Sequence, residues 1–311
     1  MTEHQKKVNL IINNIEKTFI GKRDVINMLM ITCLARGHVL IEDVPGVGKT
    51  SLANALAKSF DSSFKRIQFT PDTTPSDVVG FSMYDSKISE FIYVEGAVLN
   101  NIVLADELNR TSPKTQSALL EAMQDGKVTV DGTTHEIPQP FMLIATQNKA
   151  EQFGTYPLPE SQLDRFMIVM SIGYPDELSA IKIVEGAKKE TIVDKVASNK
   201  DLIELQDVAE NVYMDTKISQ YIVKIAIATR NDRLIETGVS TRGTLLLARA
   251  AKSKALIEGR DYVIPDDVRY LINPVLAHRL ILSREGLTKH SKPTEILSDI
   301  VKQIPVPEFN K

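Results

Sequence analysis

The chain has one cysteine, Cys33, so no internal disulfide can form; that suits a reducing, cytoplasmic setting. Cys33 lies in the apolar run Met28 to Leu34 and reads as core packing. No stretch reaches the ~18 consecutive apolar residues of a membrane span. The start, MTEHQKKVNL, has no apolar segment before a small-residue cleavage site, so neither a membrane segment nor a signal peptide is expected. Neither sign of charge dominates: 37 Lys and Arg against 40 Asp and Glu give −3 and a pI near 6.0. There is thus no overall pull toward nucleic acid. Repeats and low-complexity tracts are absent. What remains is an ordinary globular composition, 311 residues with 43% apolar and 25% charged, enough for one large or two medium domains.

The most informative stretch is Glu42-Asp43-Val44-Pro45-Gly46-Val47-Gly48-Lys49-Thr50. It follows the apolar run His38 to Ile41 and precedes a helix-periodic segment, Ser51 to Phe60. A strand, a tight glycine loop and Lys-Thr at a helix start make a phosphate cradle. The glycines let the backbone approach an anion and turn N–H groups inward, and the helix N-terminus adds positive potential. Lys49 is placed to reach β- and γ-phosphates and Thr50 to bind Mg²⁺. The binding stretch is read as Asp43, Val44, Pro45, Gly46, Val47, Gly48, Lys49, Thr50 and Ser51. Asp43 stands where the strict pattern has glycine.

Around this loop, apolar positions Val8, Ile11, Ile12, Ile15 and Phe19 predict a helix over 3–18, stopped at Gly21. A second, buried helix runs from about Asp24 to Ala35 and ends at Gly37. Lys65 to Phe69 reads as a strand, and Ser76 to Gly80 as one helical turn. Phe81 to Tyr84 with Glu90 to Val94, and Lys127 to Val130 with Thr133 to Ile137, read as two hairpins. Asn101 to Ala105 is a buried strand ending in Asp106-Glu107. Paired carboxylates at a strand tip downstream of a phosphate loop supply a metal holder, Asp106, and a general base, Glu107. Alone, they would read as a solvated strand end. Lys114 to Gln124 is a helix. Phe141 to Ala145 is another buried strand leading to Asn148, an amide able to orient water or simply to form a turn. A short helix at Ser161 to Asp164, then Arg165, precedes the strand Phe166 to Met170. Beyond Gly173-Tyr174-Pro175, helices are expected at Asp176 to Lys189, Leu202 to Tyr213, Ser219 to Thr229, Arg242 to Glu258 and Pro265 to Leu276. The last stretch, from Ser283, holds one further helix, Pro293 to Gln303. The fold class is α/β with a mainly parallel sheet, followed by a helical domain.

Together these pieces resemble the MoxR family of AAA+ ATPases. The most specific are the phosphate loop, Leu104-Ala105-Asp106-Glu107-Leu108-Asn109-Arg110, Gln116 to Met123, Ala145-Thr146-Gln147-Asn148, and Tyr156-Pro157-Leu158-Pro159-Glu160-Ser161-Gln162-Leu163-Asp164-Arg165-Phe166. The resemblance implies an AAA+ P-loop core with helices on both faces over 1–174, with hairpin inserts at about 70–97 and 127–137. An all-helical lid over 175–285 and a tail over 286–311 would follow. It makes Lys49 and Thr50 Walker A, Asp106 and Glu107 Walker B, and Asn148 sensor 1. Arg165 becomes an arginine finger acting on a neighbour's ATP, Arg242 becomes sensor 2, and Ile20-Gly21 the adenine-side segment. For both arginines the plain alternative is a surface ion pair. The implied protein binds ATP and Mg²⁺ between core and lid at a subunit boundary. It forms a homo-oligomeric ring, hexameric by analogy, and remodels a client protein, with a von Willebrand factor A domain protein as the partner class. A nucleic-acid motor, an ATP-gated scaffold with little turnover and a chelatase subunit are the rival readings. Sparse Lys and Arg in the hairpins count against the first.

Overall fold

The computed structural model describes residues 2–148, 154–186, 193–289 and 292–309. Helices α1 (Glu3–Glu16) and α2 (Arg23–Leu34) lead into β1 (Val39–Glu42) and α3 (Lys49–Phe60). There follow β2 (Phe64–Gln68), α4 (Pro75–Val79), the hairpin β3 (Gly80–Asp85) and β4 (Glu90–Glu95), and β5 (Ile102–Asp106). After a 3₁₀ turn at Leu108–Arg110 come α5 (Pro113–Asp125), the hairpin β6 (Lys127–Val130) and β7 (Thr133–Glu136), β8 (Met142–Gln147), α6 (Glu160–Leu163) and β9 (Ile168–Met170). The rest comprises α7 (Glu177–Gly186), α8 (Asn199–Glu210), α9 (Thr216–Asn231), β10 (Ile235–Thr237), α10 (Thr241–Ile257), α11 (Pro265–Leu276), a 3₁₀ turn at Ala277–Arg279, β11 (Ile281–Leu282), α12 (Arg284–Thr288) and α13 (Pro293–Gln303).

Five strands form one parallel sheet in the order β2-β5-β8-β1-β9. Its strands read as continuous apolar runs because both faces are covered. Alternation survives in which core each residue joins. Val39, Ile41, Ile102, Leu104, Met142, Ile144 and Ile168 face α1, α2, α3 and the C-terminal helices. Leu40, Val103, Ala105, Leu143 and Ala145 face the opposite way, onto Leu119, Leu120, Leu158 and Phe166. Strand period two thus sorts a uniformly apolar sequence into two layers.

Three expectations need correction. Arg36, not Gly37, takes the left-handed turn ending α2, with φ 51°. Gly37 serves a close approach instead: a Cβ there would lie 2.7 Å from Met167 Sδ and 2.8 Å from Met167 Cβ. The phosphate-loop helix begins at Lys49 rather than Ser51. The region beyond residue 175 carries a short antiparallel ribbon, β10 with β11, and a further helix, α12, that the pattern did not reveal. Two- and three-residue strands leave no periodicity to read. The expected helix from Asp176 begins at Glu177, and its expected end, Lys189, lies outside the described residues.

His38 closes the sheet at the start of β1. Leu143 N–H donates to His38 Nδ1 at 3.0 Å, which leaves the ring proton on Nε2. Burial pushes its pKa down to about 4, against a backbone hydrogen bond at Met123, and Arg249 adds to the fall. The folded value lies below the unfolded ~6.5. The unfolded chain therefore binds the extra proton first, and this stabilisation is present above about pH 6.5 and lost as pH falls toward about 4. Urea melts between pH 7 and pH 4.5 should show stability dropping more steeply in the wild type than in His38→Gln; parallel slopes would refute the assignment.

Candidate functional site

The C-terminal ends of the parallel strands bring the polar residues together. The loop leaves β1 after Glu42 and turns through Gly46 and Gly48, both at positive φ, 86° and 90°. Only glycine takes such angles without strain. Phe19 packs over the loop: a Cβ on Gly48 would lie 3.1 Å from its Cε2. Gly21, at φ 79°, is pressed against the first residues of α7, since a Cβ there would fall 1.9 Å from Ser179 Oγ. The Ile20-Gly21 turn therefore lies beside the phosphate loop, with α7 against it.

Lys49 opens α3 and donates to the backbone carbonyl of Asp43 at 2.7 Å. Burial pulls its pKa below the ordinary lysine value, while Asp106, Asp43 and Glu107 pull the other way. Asp43 itself points away from the cradle. Its Oδ2 accepts from Ser171 Oγ, Ile172 N–H and Gly173 N–H at 2.8, 2.6 and 2.7 Å, and its Oδ1 from Val44 N–H at 2.9 Å. Burial alone would raise its pKa; those hydrogen bonds outweigh it and hold the carboxyl below the usual range.

Asp106 and Glu107 are organised by one hydroxyl. Thr146, at the end of β8, donates to Asp106 Oδ1 at 2.7 Å and accepts from Glu107 N–H at 2.9 Å. Glu107 sits at φ 57°, a left-handed turn that costs a non-glycine residue ~1–3 kcal/mol and swings its carboxylate off the strand axis. Gln68 Nε2 and Arg110 Nη1 both donate to Glu107 Oε2, at 2.9 and 3.0 Å. Arg66 pairs with Asp106 Oδ2 at 2.7 Å and donates to Gln68 Oε1 at 2.9 Å. Asn148 follows the same strand end, half-buried, with Asn109 Nδ2 3.5 Å from its carbonyl. Val44, Pro45, Val47, Thr50 and Ser51 complete the loop and the first turn of α3.

Arg165 and Arg242 lie elsewhere. Met167 N–H donates to the His38 carbonyl, so the residues just before β9 sit at the N-terminal end of β1. The phosphate loop leaves the other end, about four residues and ~13 Å away at the usual strand rise. Arg165 Nη1 donates to the Leu120 carbonyl in α5 at 2.7 Å. Arg242, 44% exposed, reaches toward Gln124 at 3.5 Å and Asp164 at 3.8 Å. Asp164 is the hub: Ser240 Oγ is 3.0 Å away, and the buried Arg279 pairs with it at 2.9 Å. Burial pushes Arg279 down to about 10, against the pull of Asp164.

Family models match residues 38–168 as the ATPase family associated with various cellular activities and residues 227–300 as an AAA lid domain. The chain is 48% identical to the Bacillus subtilis protein YeaC over 95% of this chain and 93% of that one. It is 37% identical to Chaperone MoxR1 of Mycobacterium tuberculosis over 96% of this chain and 82% of that one. A crystal structure from Cytophaga hutchinsonii, described as a candidate ATPase, superposes with a TM-score of 0.92 at 36% identity, covering 98% and 96% of the two chains. The chain belongs to the MoxR family of AAA+ ATPases.

Several residues of this MoxR-family site escape a reading by motif. Thr146 stands inside a recognised segment, yet only the β5–β8 register reveals that it meets the Asp106 carboxylate and the Glu107 N–H. Arg66 and Gln68 share one face of the edge strand β2. Two polar residues at period two beside a carboxylate strand are the only hint. Arg279 is an arginine among apolar neighbours, Val275 to Leu282, and that isolation was the available signal.

Replacing Thr146 with valine keeps the shape and removes both hydrogen bonds. Steady-state ATP hydrolysis should fall about 10- to 100-fold in kcat with little change in KM. An unchanged kcat would show that the carboxylates need no such brace.

Proposed function

We propose that this chain is an ATP-driven remodeller of a client protein, working as a ring in which each hydrolytic site is shared by two subunits. Lys49 and the loop N–H groups hold the phosphates. Thr50 and Asp106 offer the hard oxygen donors suited to Mg²⁺, and among the described residues no cluster of three or more His, Cys, Asp or Glu side chains forms a cage of its own. That pattern fits an ion completed by substrate phosphates and water. An Mg²⁺ ion held by Thr50 and Asp106 would supply charge neutralisation for the phosphates. Glu107 takes the proton of the water attacking the γ-phosphorus as the bond to the bridging oxygen breaks, and Asn148 orients that water. Gln68 and Arg110 occupy the Glu107 carboxylate, so turnover requires at least one to let go.

The observation that carries this reading is the separation of Arg165 and Arg242 from their own phosphate loop by the length of the sheet. On this reading both serve the nucleotide of the adjoining subunit. Support for a protein client comes from the β3–β4 hairpin, which exposes Phe81, Met83, Tyr84, Ile88 and, at 74%, Phe91. Such a surface suits an extended polypeptide better than a phosphate backbone. The six-membered ring and the von Willebrand factor A domain partner rest on family analogy.

Hydrolysis per subunit should rise with protein concentration alongside a ring-sized species, and Glu107→Gln should assemble yet lose about 10²–10⁴ in rate. Arg165→Ala should lose about 10³ or more at saturating protein. Mixing Arg165→Ala with Lys49→Ala should restore part of the activity, because one variant's intact loop meets the other's arginine. Two silent variants that stay silent when mixed would sink the shared site.

A further inference from the structure

Asp43 is an acid inside a loop built to bind a polyphosphate. Facing the cradle, its charge would oppose the ligand. Its carboxylate is instead turned outward and met by three donors from consecutive residues, Ser171, Ile172 and Gly173, at 2.6–2.8 Å. Those residues leave β9 and lead directly to α7, whose Ser179 is seated against Gly21. One short segment, 171–179, thus touches the phosphate loop at its start and the 19–21 turn at its end. On the loop side, the Asp43 carbonyl is where Lys49 rests, at 2.7 Å. A triphosphate draws that ammonium to the β- and γ-oxygens, so the Asp43 peptide loses a charged partner whenever the site fills. Three hydrogen bonds join Asp43 to the linker, and a fourth, from its own neighbour Val44, fixes the other carboxylate oxygen.

We propose that Asp43 is a positioning residue that transmits phosphate occupancy to the linker 171–173 and α7, the passage from the α/β core to the helical region. This rests on the ATP-site reading above. The coupling is reciprocal: whatever fixes the linker biases the loop toward one Lys49 position, and nucleotide biases the linker. Generic phosphate loops, with glycine at this place, cannot make the connection.

The test is hydrogen–deuterium exchange on the full chain, with and without saturating Mg²⁺ and a non-hydrolysable ATP analogue, with nucleotide binding followed in the same samples. In the wild type, exchange of peptides covering 171–178 should change about three-fold or more on binding. Asp43→Gly, at nucleotide concentrations that saturate it, should leave that segment unresponsive and lower kcat more than it alters KM. Asp43→Asn, which keeps one oxygen acceptor, should recover part of the response, and Ser171→Ala should diminish it without touching the loop. A wild-type response in Asp43→Gly would overturn the proposal, as would a folded Asp43→Gly that binds no nucleotide at all, since Asp43 would then belong to the cradle itself. If Asp43→Gly does not fold, wild-type responses in both Asp43→Asn and Ser171→Ala would overturn it equally. A wild type that binds no nucleotide would instead refute the ATP-site reading.

Discussion

The register between β5 and β8 is the constraint on which the site depends. Ala105 pairs with Ala145, so the next residues, Asp106 and Thr146, finish side by side at the C-terminal end of the sheet. One hydroxyl then satisfies a carboxylate on one side and the N–H of the strained Glu107 on the other. A slip of one residue would turn Asp106 into the opposite apolar layer. That register is itself fixed by burial, since Ile102 and Leu104 must meet the α3 layer while Val103 and Ala105 meet α5. The chemistry at that end is therefore positioned by the hydrophobic sorting of residues that take no part in it.

The two ends of the same sheet carry opposite endowments. The C-terminal end gathers Glu42, Asp106 and Glu107 with the phosphate loop. At the N-terminal end Arg242 and Arg279 share Asp164, and Arg165 reaches the Leu120 carbonyl. Arg279 is 1% exposed and committed to Asp164 and to the carbonyls of Phe166, Met167 and Val275. Arg242, weakly paired at 3.8 Å, keeps its charge at the surface. Asp164 thus carries one charge against two guanidinium groups.

Legibility followed the range of the interactions. The phosphate loop, both hairpins and the carboxylate strand are encoded by neighbours in sequence, and glycine angles at 46, 48 and 132 bear out local turn chemistry. Long-range partners were not legible: nothing near Arg66 announces Asp106, 40 residues away, and nothing near Arg279 announces Asp164, 115 residues away. Gly37 was misread for the same reason. Its role is set by Met167 across the sheet, whereas the turn beside it falls to Arg36. Asp43 was visible only as a departure from a pattern; the meaning of that departure lies in three donors far along the chain.

The apolar core also limits how the molecule can move. The layer over the sheet that contains Ile11, Leu29 and Leu56 is continuous with Leu202, Ile225, Leu247 and Leu271 of the C-terminal helices. Domains swing readily across small polar interfaces and resist opening across large apolar ones. A wide hinge between core and helical region would expose this shared layer at ~25 cal/mol per Å². Polar contacts, which can exchange without exposing that layer, lie at its rim: the linker at 171–173 and the Asp164 hub with Ser240 and Arg242. The shared apolar layer therefore places the points that can give at the polar rim and not at a wide hinge.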